Sequence, residues 1–216
     1  MNMVGFVDAT VLPPQLPAVL VRMQGRSAMV YAEIETDEAL RRDGGGGLDD
    51  WELLDVLMSL PLGEPVPVRV LTPEQRRALD RAPEWAVTRA GGEAVRWCRT
   101  PVKPVLAVSF SRRWDPGLRT AHVFSSVCAQ AVVLPSEPGD PLVAIEADQY
   151  GVGLGVGQPG GPVRVIVPPE PFRGRRHSLA RWWFAEHVYA QLSAQKRNAV
   201  EAESAAVERQ RLNQRL

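Results

Sequence analysis

An α+β fold with a mostly antiparallel sheet is the architecture this sequence predicts, and three observations predict it. Short apolar runs recur with tight-turn residues between them, as at Gln24-Gly25-Arg26, Gly91-Gly92 and Gln158-Pro159-Gly160-Gly161. Helical stretches are inserted irregularly instead of alternating with strands, which argues against a doubly wound parallel sheet. After Gly174 there is no further glycine or proline, so Ser178 to Leu216 can run as one long helix.

Residues 17–35 read as a hairpin, Ala18, Leu20 and Arg22 lying on the outgoing run and Ala28 to Ile34 on the return. Asp43-Gly44-Gly45-Gly46-Gly47 then interrupts all order. Four glycines bring no side chain to a core and lose much entropy if fixed, so 43–47 is expected to be a flexible surface loop. Leu48 to Leu60 reads as an amphipathic helix capped by Asp49 or Asp50, burying Trp51, Leu53, Leu54 and Leu57 and stopped by Pro61. Val66 to Leu71 is a candidate strand. Thr72-Pro73-Glu74-Gln75 starts a second helix, Thr72 as cap, Pro73 in the first turn and Gln75 reaching back.

Two segments flanking Gly91-Gly92, Trp85–Ala90 and Glu93–Arg99, should pair antiparallel, because both glycines are free to take the positive dihedrals of a tight hairpin turn. Val105 to Phe110 extends the sheet, His122 to Leu134 reads as one long or two short strands, and Leu142 to Val167 as a three-strand meander. The alternation in Tyr150-Gly151-Val152-Gly153-Leu154-Gly155-Val156-Gly157 leaves one strand face without side chains, a bare strip that Trp182 and Trp183 are expected to fill.

Composition narrows the function classes. In 216 residues, Lys+Arg 25 balance Asp+Glu 25, so no field of one sign draws the whole molecule to nucleic acid or an anionic bilayer. Lysine occurs only at Lys103 and Lys196. Arginine is therefore the default cation, a coding bias expected of a GC-rich bacterial genome, and an arginine cluster signifies only through local concentration. Two cysteines, Cys98 and Cys128, fall far short of a disulfide scaffold. No apolar run reaches the length of a spanning helix, so no membrane partner and a cytoplasmic location are expected.

The chemical motifs are weak. Gly155-Val156-Gly157-Gln158-Pro159-Gly160 matches a dinucleotide fingerprint in letters, but a strand follows where a helix is required. His122 and Cys128 share strand parity and sit about 20 Å apart if extended, too far for a base and its thiol. Glu146 and Asp148 share a strand face and are the one carboxylate pair suited to acid/base work. His177 and His187 cannot share an ion, and no metal or cofactor site is expected. A catalytic or ligand site would require His122, Cys128, Glu146, Asp148 or Tyr150 to converge in three dimensions.

Two local features remain. Arg173, Arg175, Arg176 and Arg181 form the strongest basic segment, spanning 173–181, and are candidates for an anion or nucleic-acid contact. The terminal helix begins with Leu179, Trp182, Trp183, Phe184, Val188, Tyr189 and Leu192 and continues in alanine and charge. An α+β domain at 1–172 is thus expected to carry a helical arm at 173–216, its N-terminal half packed on the sheet. Trp182, Trp183, Val188, Leu192, Ala199, Val200, Ala206 and Val207 are the expected partner-binding residues, the partner being another protein or a second copy. The function expected is a non-enzymatic interaction or regulatory protein of the adaptor type. An enzyme or small-ligand-binding domain is the first alternative, and nucleic-acid binding the second.

Overall fold

The computed structural model describes residues 15–43, 45–174 and 178–213, with residues 205–213 described by backbone alone. The fold is α+β, and its larger sheet is mixed, not purely antiparallel. In chain order the elements are β1 (Ala18–Met23), β2 (Arg26–Ile34), α1 (Thr36–Arg41), α2 (Trp51–Ser59), β3 (Pro65–Pro67), a 3-10 turn (Val68–Val70), α3 (Pro73–Asp80), β4 (Val87–Ala90), β5 (Glu93–Arg96), β6 (Val102–Phe110), α4 (Trp114–His122), β7 (Ala129–Leu134), α5 (Leu142–Gln149), β8 (Gly153–Gly157), β9 (Val163–Val167) and α6 (Leu179–Asn213). Five helices precede α6 among the described residues, where the sequence suggested two.

The chain forms two compact units. One holds the described residues up to Ile34 together with Val102–Phe184, and the other holds Glu35–Pro101 and the chain from Ala185 onward.

The first unit contains a six-stranded sheet of order β1-β2-β6-β7-β8-β9. Its outer pairings β1/β2, β2/β6 and β8/β9 are antiparallel, while β6/β7 and β7/β8 are parallel. Parallel neighbours require crossovers, and α4 and α5 supply them. Both helices lie on one face of the sheet, where Trp114 and Ala121 of α4 and Ala147 of α5 pack with Val132, Leu134, Leu154 and Val167. Tyr31, Leu106, Val108, Ala131 and Val133 form the core of the opposite face.

These crossovers overturn two strand expectations. The first half of the segment His122–Leu134 is turn, preceded by α4. Asp115-Pro116-Gly117 looks like a loop, yet a proline in the first helical turn sacrifices no hydrogen bond, because the amide there would have no intrahelical acceptor. Gly117 is needed for close approach. A Cβ built on it would stand 2.5 Å from Val132 Cγ1, so only glycine lets α4 lie this near β7. Leu142–Gln149 is likewise helical. Val143 and Ile145 suggested a strand, but Val143, Ala144 and Ala147 recur at helical spacing toward the sheet. The helix ends in a Schellman arrangement: Gly151 N donates to Asp148 O at 3.0 Å, Val152 N donates to Ala147 O at 2.9 Å, and Gly151 takes φ 64°.

The bare strip on β8 exists, but the tryptophans do not fill it. Positions where Cβ atoms would sit on Gly153 and Gly155 are occupied by Pro169 and Ala131 and by Val163 and Val133, respectively. Neighbouring strands and the chain after β9 have closed over the missing side chains.

The second unit contains a small antiparallel sheet of order β3-β5-β4. Gly91 and Gly92 turn between β4 and β5 with φ of 60° and 81°, as the sequence suggested. Residues 66–71 are only partly a strand, since β3 gives way to the 3-10 turn after Pro67. Helix α3 carries the complete capping box: Gln75 N donates to Thr72 Oγ1 at 3.2 Å and Thr72 N to Gln75 Oε1 at 2.9 Å. Helix α2 is capped by Asp50, which accepts from Leu53 N. It buries Leu53, Leu54, Val56 and Leu57, and leaves Trp51 49% exposed, contrary to expectation. The apolar stripe is wide enough to turn inward without Trp51.

Candidate functional site

The terminal helix α6 has a buried root and an exposed continuation. Ser178 caps it, its Oγ accepting from Arg181 N at 3.3 Å. Within the sheet-bearing unit, Trp182 is buried and Phe184 meets Phe124 edge to face at 6.0 Å. From Ala185 onward the helix belongs to the other unit, where Val188, Tyr189 and Leu192 are buried.

In that unit an ionic node holds the helix. Arg42, immediately after α1, has a fully buried guanidinium that grips Glu186 two-pronged, Nη1 to Oε2 at 2.6 Å and Nη2 to Oε1 at 2.8 Å. Its Nε donates to Glu38 at 3.1 Å, and Nη2 also reaches the Arg99 carbonyl at 3.2 Å. The rings of Trp85 and Tyr189 lie 4.5 Å and 5.0 Å from the guanidinium carbon. Glu186 accepts a further bond from Leu48 N at 2.9 Å, and Arg41 supplies a second cation to Glu38 at 3.2 Å.

Burial pulls the Arg42 pKa down, but its bonds to Glu186 and Glu38 outweigh that and leave it above the ordinary arginine value. Two carboxylates against two guanidiniums leave the group balanced, which is the condition under which charge tolerates burial. The glycine loop has a packing role here: a Cβ on Gly47 would lie 2.3 Å from the Glu186 carbonyl oxygen.

The residues expected to bind a partner thus separate into two sets. Trp182, Val188 and Leu192 are buried within the chain itself and Trp183 is half-buried. Ala199 is exposed and Val200 is 55% exposed, while the side chains of Ala206 and Val207 lie outside the described residues. Every residue from Gln195 to Ser204 is exposed.

The basic segment is described only in part. Arg175, Arg176 and His177 lie outside the described residues. Arg173 is exposed, and the Arg181 guanidinium stacks 4.9 Å over the Phe172 ring. Trp114, which follows Arg112 and Arg113, is buried, and its indole N–H donates to Glu146 at 2.8 Å.

The candidate catalytic residues converge only slightly. His122, at the end of α4, meets Tyr150 edge to face at 5.6 Å. Glu146 and Asp148 are two apart on a helix, not a strand, and so do not share a face. Cys128 is completely buried, and desolvation pushes its thiol up to about 12. Burial does the same to Cys98, with Glu38 adding to it, also up to about 12. Neither is a thiolate nucleophile at neutral pH. No group of three or more His, Cys, Asp or Glu suited to a metal occurs among the described residues. No described helix is long and apolar enough to cross a membrane.

Sequence reasoning missed the ionic node. Its signal was present as Glu186, an acid set inside the apolar root between Trp182 and Leu192, which demands a buried cation. By fold and site, the chain is an α+β protein with a mixed sheet and an ion-paired terminal helix. No protein-family model matches it, and neither does a curated protein or a solved structure.

Proposed function

We propose that this is a non-enzymatic interaction protein of the adaptor or regulatory type, which offers the distal part of α6 to another protein or a second copy. One observation carries the reading: a root fixed by burial and a two-pronged ion pair continues into residues 195–204, exposed on every side. Helices in proteins owe most of their stability to a packed face, which residues 195–204 lack, so a buried root is what would keep the exposed turns formed. The buried thiols and the dispersed carboxylates support a non-catalytic role.

The test compares the full chain with one ending at Ala194, which retains the whole ionic node. Expected are an unchanged melting temperature and a loss either of oligomeric mass by light scattering or of a host protein retained by the full chain. Equal mass and equal retained proteins would overturn the reading. So would a fall of about 4 °C or more in melting temperature, which would make the distal turns a structural part of the body.

A further inference from the structure

We infer that the outer edge of β1 is a strand-addition site for a second copy of this chain, paired antiparallel about a two-fold axis at Leu20. This goes beyond the proposed role of α6 and rests on other residues. Among the described residues, no strand pairs with β1 beyond β2, so within them its outward backbone donors and acceptors meet no strand partner.

The direction of those groups follows from the ladder. Ala18 lies opposite Tyr31, and Ala32 N donates to Pro17 O at 3.0 Å. Pro17, Val19, Val21 and Met23 therefore direct their polar groups to β2, while Ala18, Leu20 and Arg22 turn theirs to the open edge.

The other three edges are blunted. β9 is flanked by Pro162 and Pro168 and carries Arg164, which pairs with Glu137. β3 contains Pro65 and Pro67, each without an amide donor. β4 presents exposed Thr88 and Arg89, the latter paired with Asp80. β1, Ala-Val-Leu-Val-Arg-Met, has no proline within it and a single charge, its flanking Pro17 faces β2, and Leu20 at its centre is 60% exposed. No proline interrupts its outward amides.

A second copy fits because the strand is self-complementary. With Leu20 opposite Leu20 of the other copy, Ala18 falls opposite Arg22, and all three outward residues of each copy meet an outward partner within the strand. Each donates one hydrogen bond and accepts one. The two Arg22 guanidiniums are held apart, and the exposed Leu20 side chains cover each other. Sliding the pairing by one step of the ladder leaves an outward residue without a strand partner. Sliding it toward Arg22 until that residue sits on the axis brings like charges face to face.

Cysteine cross-linking reads this register. In it, Leu20→Cys places two thiols on a hydrogen-bonded pair with Cα atoms about 5.5 Å apart, within the roughly 4.4–6.8 Å a disulfide spans. Arg22→Cys separates its two thiols by about 13 Å along the strand. Cys98 and Cys128 are fully buried and do not compete. Oxidised glutathione should convert the Leu20→Cys protein to a covalent dimer and leave Arg22→Cys monomeric. Sedimentation of the unmodified full chain across a concentration series should show a monomer–dimer equilibrium. Leu20→Lys should weaken it by about tenfold or more by setting two ammonium groups on the axis. Leu20→Pro should do the same by removing an outward amide, and Leu20→Lys keeps the test alive if that variant misfolds.

A monomer at all concentrations, or cross-linking at 22 as efficient as at 20, would overturn the inference. Removal of residues 1–14 is the remaining arm: a dimer that appears only then would assign the edge to this chain's own N-terminal segment and overturn it too.

Discussion

Arg42 and Glu186 stand 144 positions apart in the chain and meet in a buried, two-pronged ion pair of 2.6 and 2.8 Å. The pair lies in the interior of the unit that holds Glu35–Pro101 and the chain from Ala185 onward, so its loss has a calculable sign. Truncating one partner strands the other's charge in a dry site, which costs more than the pair itself gains. Glu186→Ala should destabilise the protein by about 3–5 kcal/mol, read as a lower urea midpoint. The apolar double variant Arg42→Met with Glu186→Leu should recover part of that loss, the remainder reflecting Leu48 N, the Arg99 carbonyl and Glu38 losing a partner. Equal stability of Glu186→Ala and the parent protein would show that solvent reaches the node.

Gly117 offers a packing test. Adding a methyl group there forces α4 off β7, since the new Cβ would sit 2.5 Å from Val132 Cγ1. Gly117→Ala should cost about 1–3 kcal/mol despite the better helix propensity of alanine. Adding Val132→Ala should restore part of the loss, a coupling that a double-mutant cycle measures as non-additivity.

Both thiols should be silent in the native state. With Cys98 and Cys128 buried and pushed up to about 12, a thiol-reactive disulfide reagent at pH 8 should react only as fast as the chain unfolds. The sign of the pH effect follows. The raised folded pKa contributes stability that is complete below the unfolded value near 9.0 and is lost as pH rises toward about 12. Replacing either cysteine with alanine should flatten the alkaline limb of the stability profile. Rapid labelling of the native protein would contradict the burial.

Asp50 governs the acid limb at α2. Its ion pair with Arg81 and the cap to Leu53 hold the carboxyl below its ordinary value of 3.8, with burial opposing them. A depressed folded pKa means stability that is present above 3.8 and lost as pH falls through the lower folded value. The stability gap between the parent protein and Asp50→Ala should therefore be full at pH 7 and shrink below about pH 4, measured by urea unfolding at each pH. A gap that persists undiminished at pH 2 would mean the aspartate acts without its charge.

What could be foreseen from residues alone was local. The Thr72–Gln75 capping box and the Gly91-Gly92 turn involve residues three or fewer apart, and their chemistry is written in adjacent letters. Helix α4, and with it the parallel pairing of β7, was not legible, because Gly117 spells loop locally and close approach only in the presence of Val132. The same holds for the site. The apolar root of α6 was visible in its aromatics, but Arg42 was hidden among arginines that serve as ordinary surface cations, and nothing in its neighbourhood marks it as the partner of Glu186. Glu146 and Asp148 were paired by a strand period in a segment that coils instead, which rotates them apart.

The last rung of the β2–β6 ladder sets Ile34 beside Val102, and Glu35 N is bonded to Pro101 O at 3.0 Å just beyond it. The chain therefore leaves the large sheet and re-enters it through a single gateway. A long excursion rooted this way adds no wide loop to the sheet's own closure: to its hydrogen-bond ladder, everything between those residues is equivalent to a hairpin turn. In the large sheet's own hydrogen bonding, the gateway makes 35–101 an insert, a segment whose length enters the β2–β6 ladder only at that terminal rung.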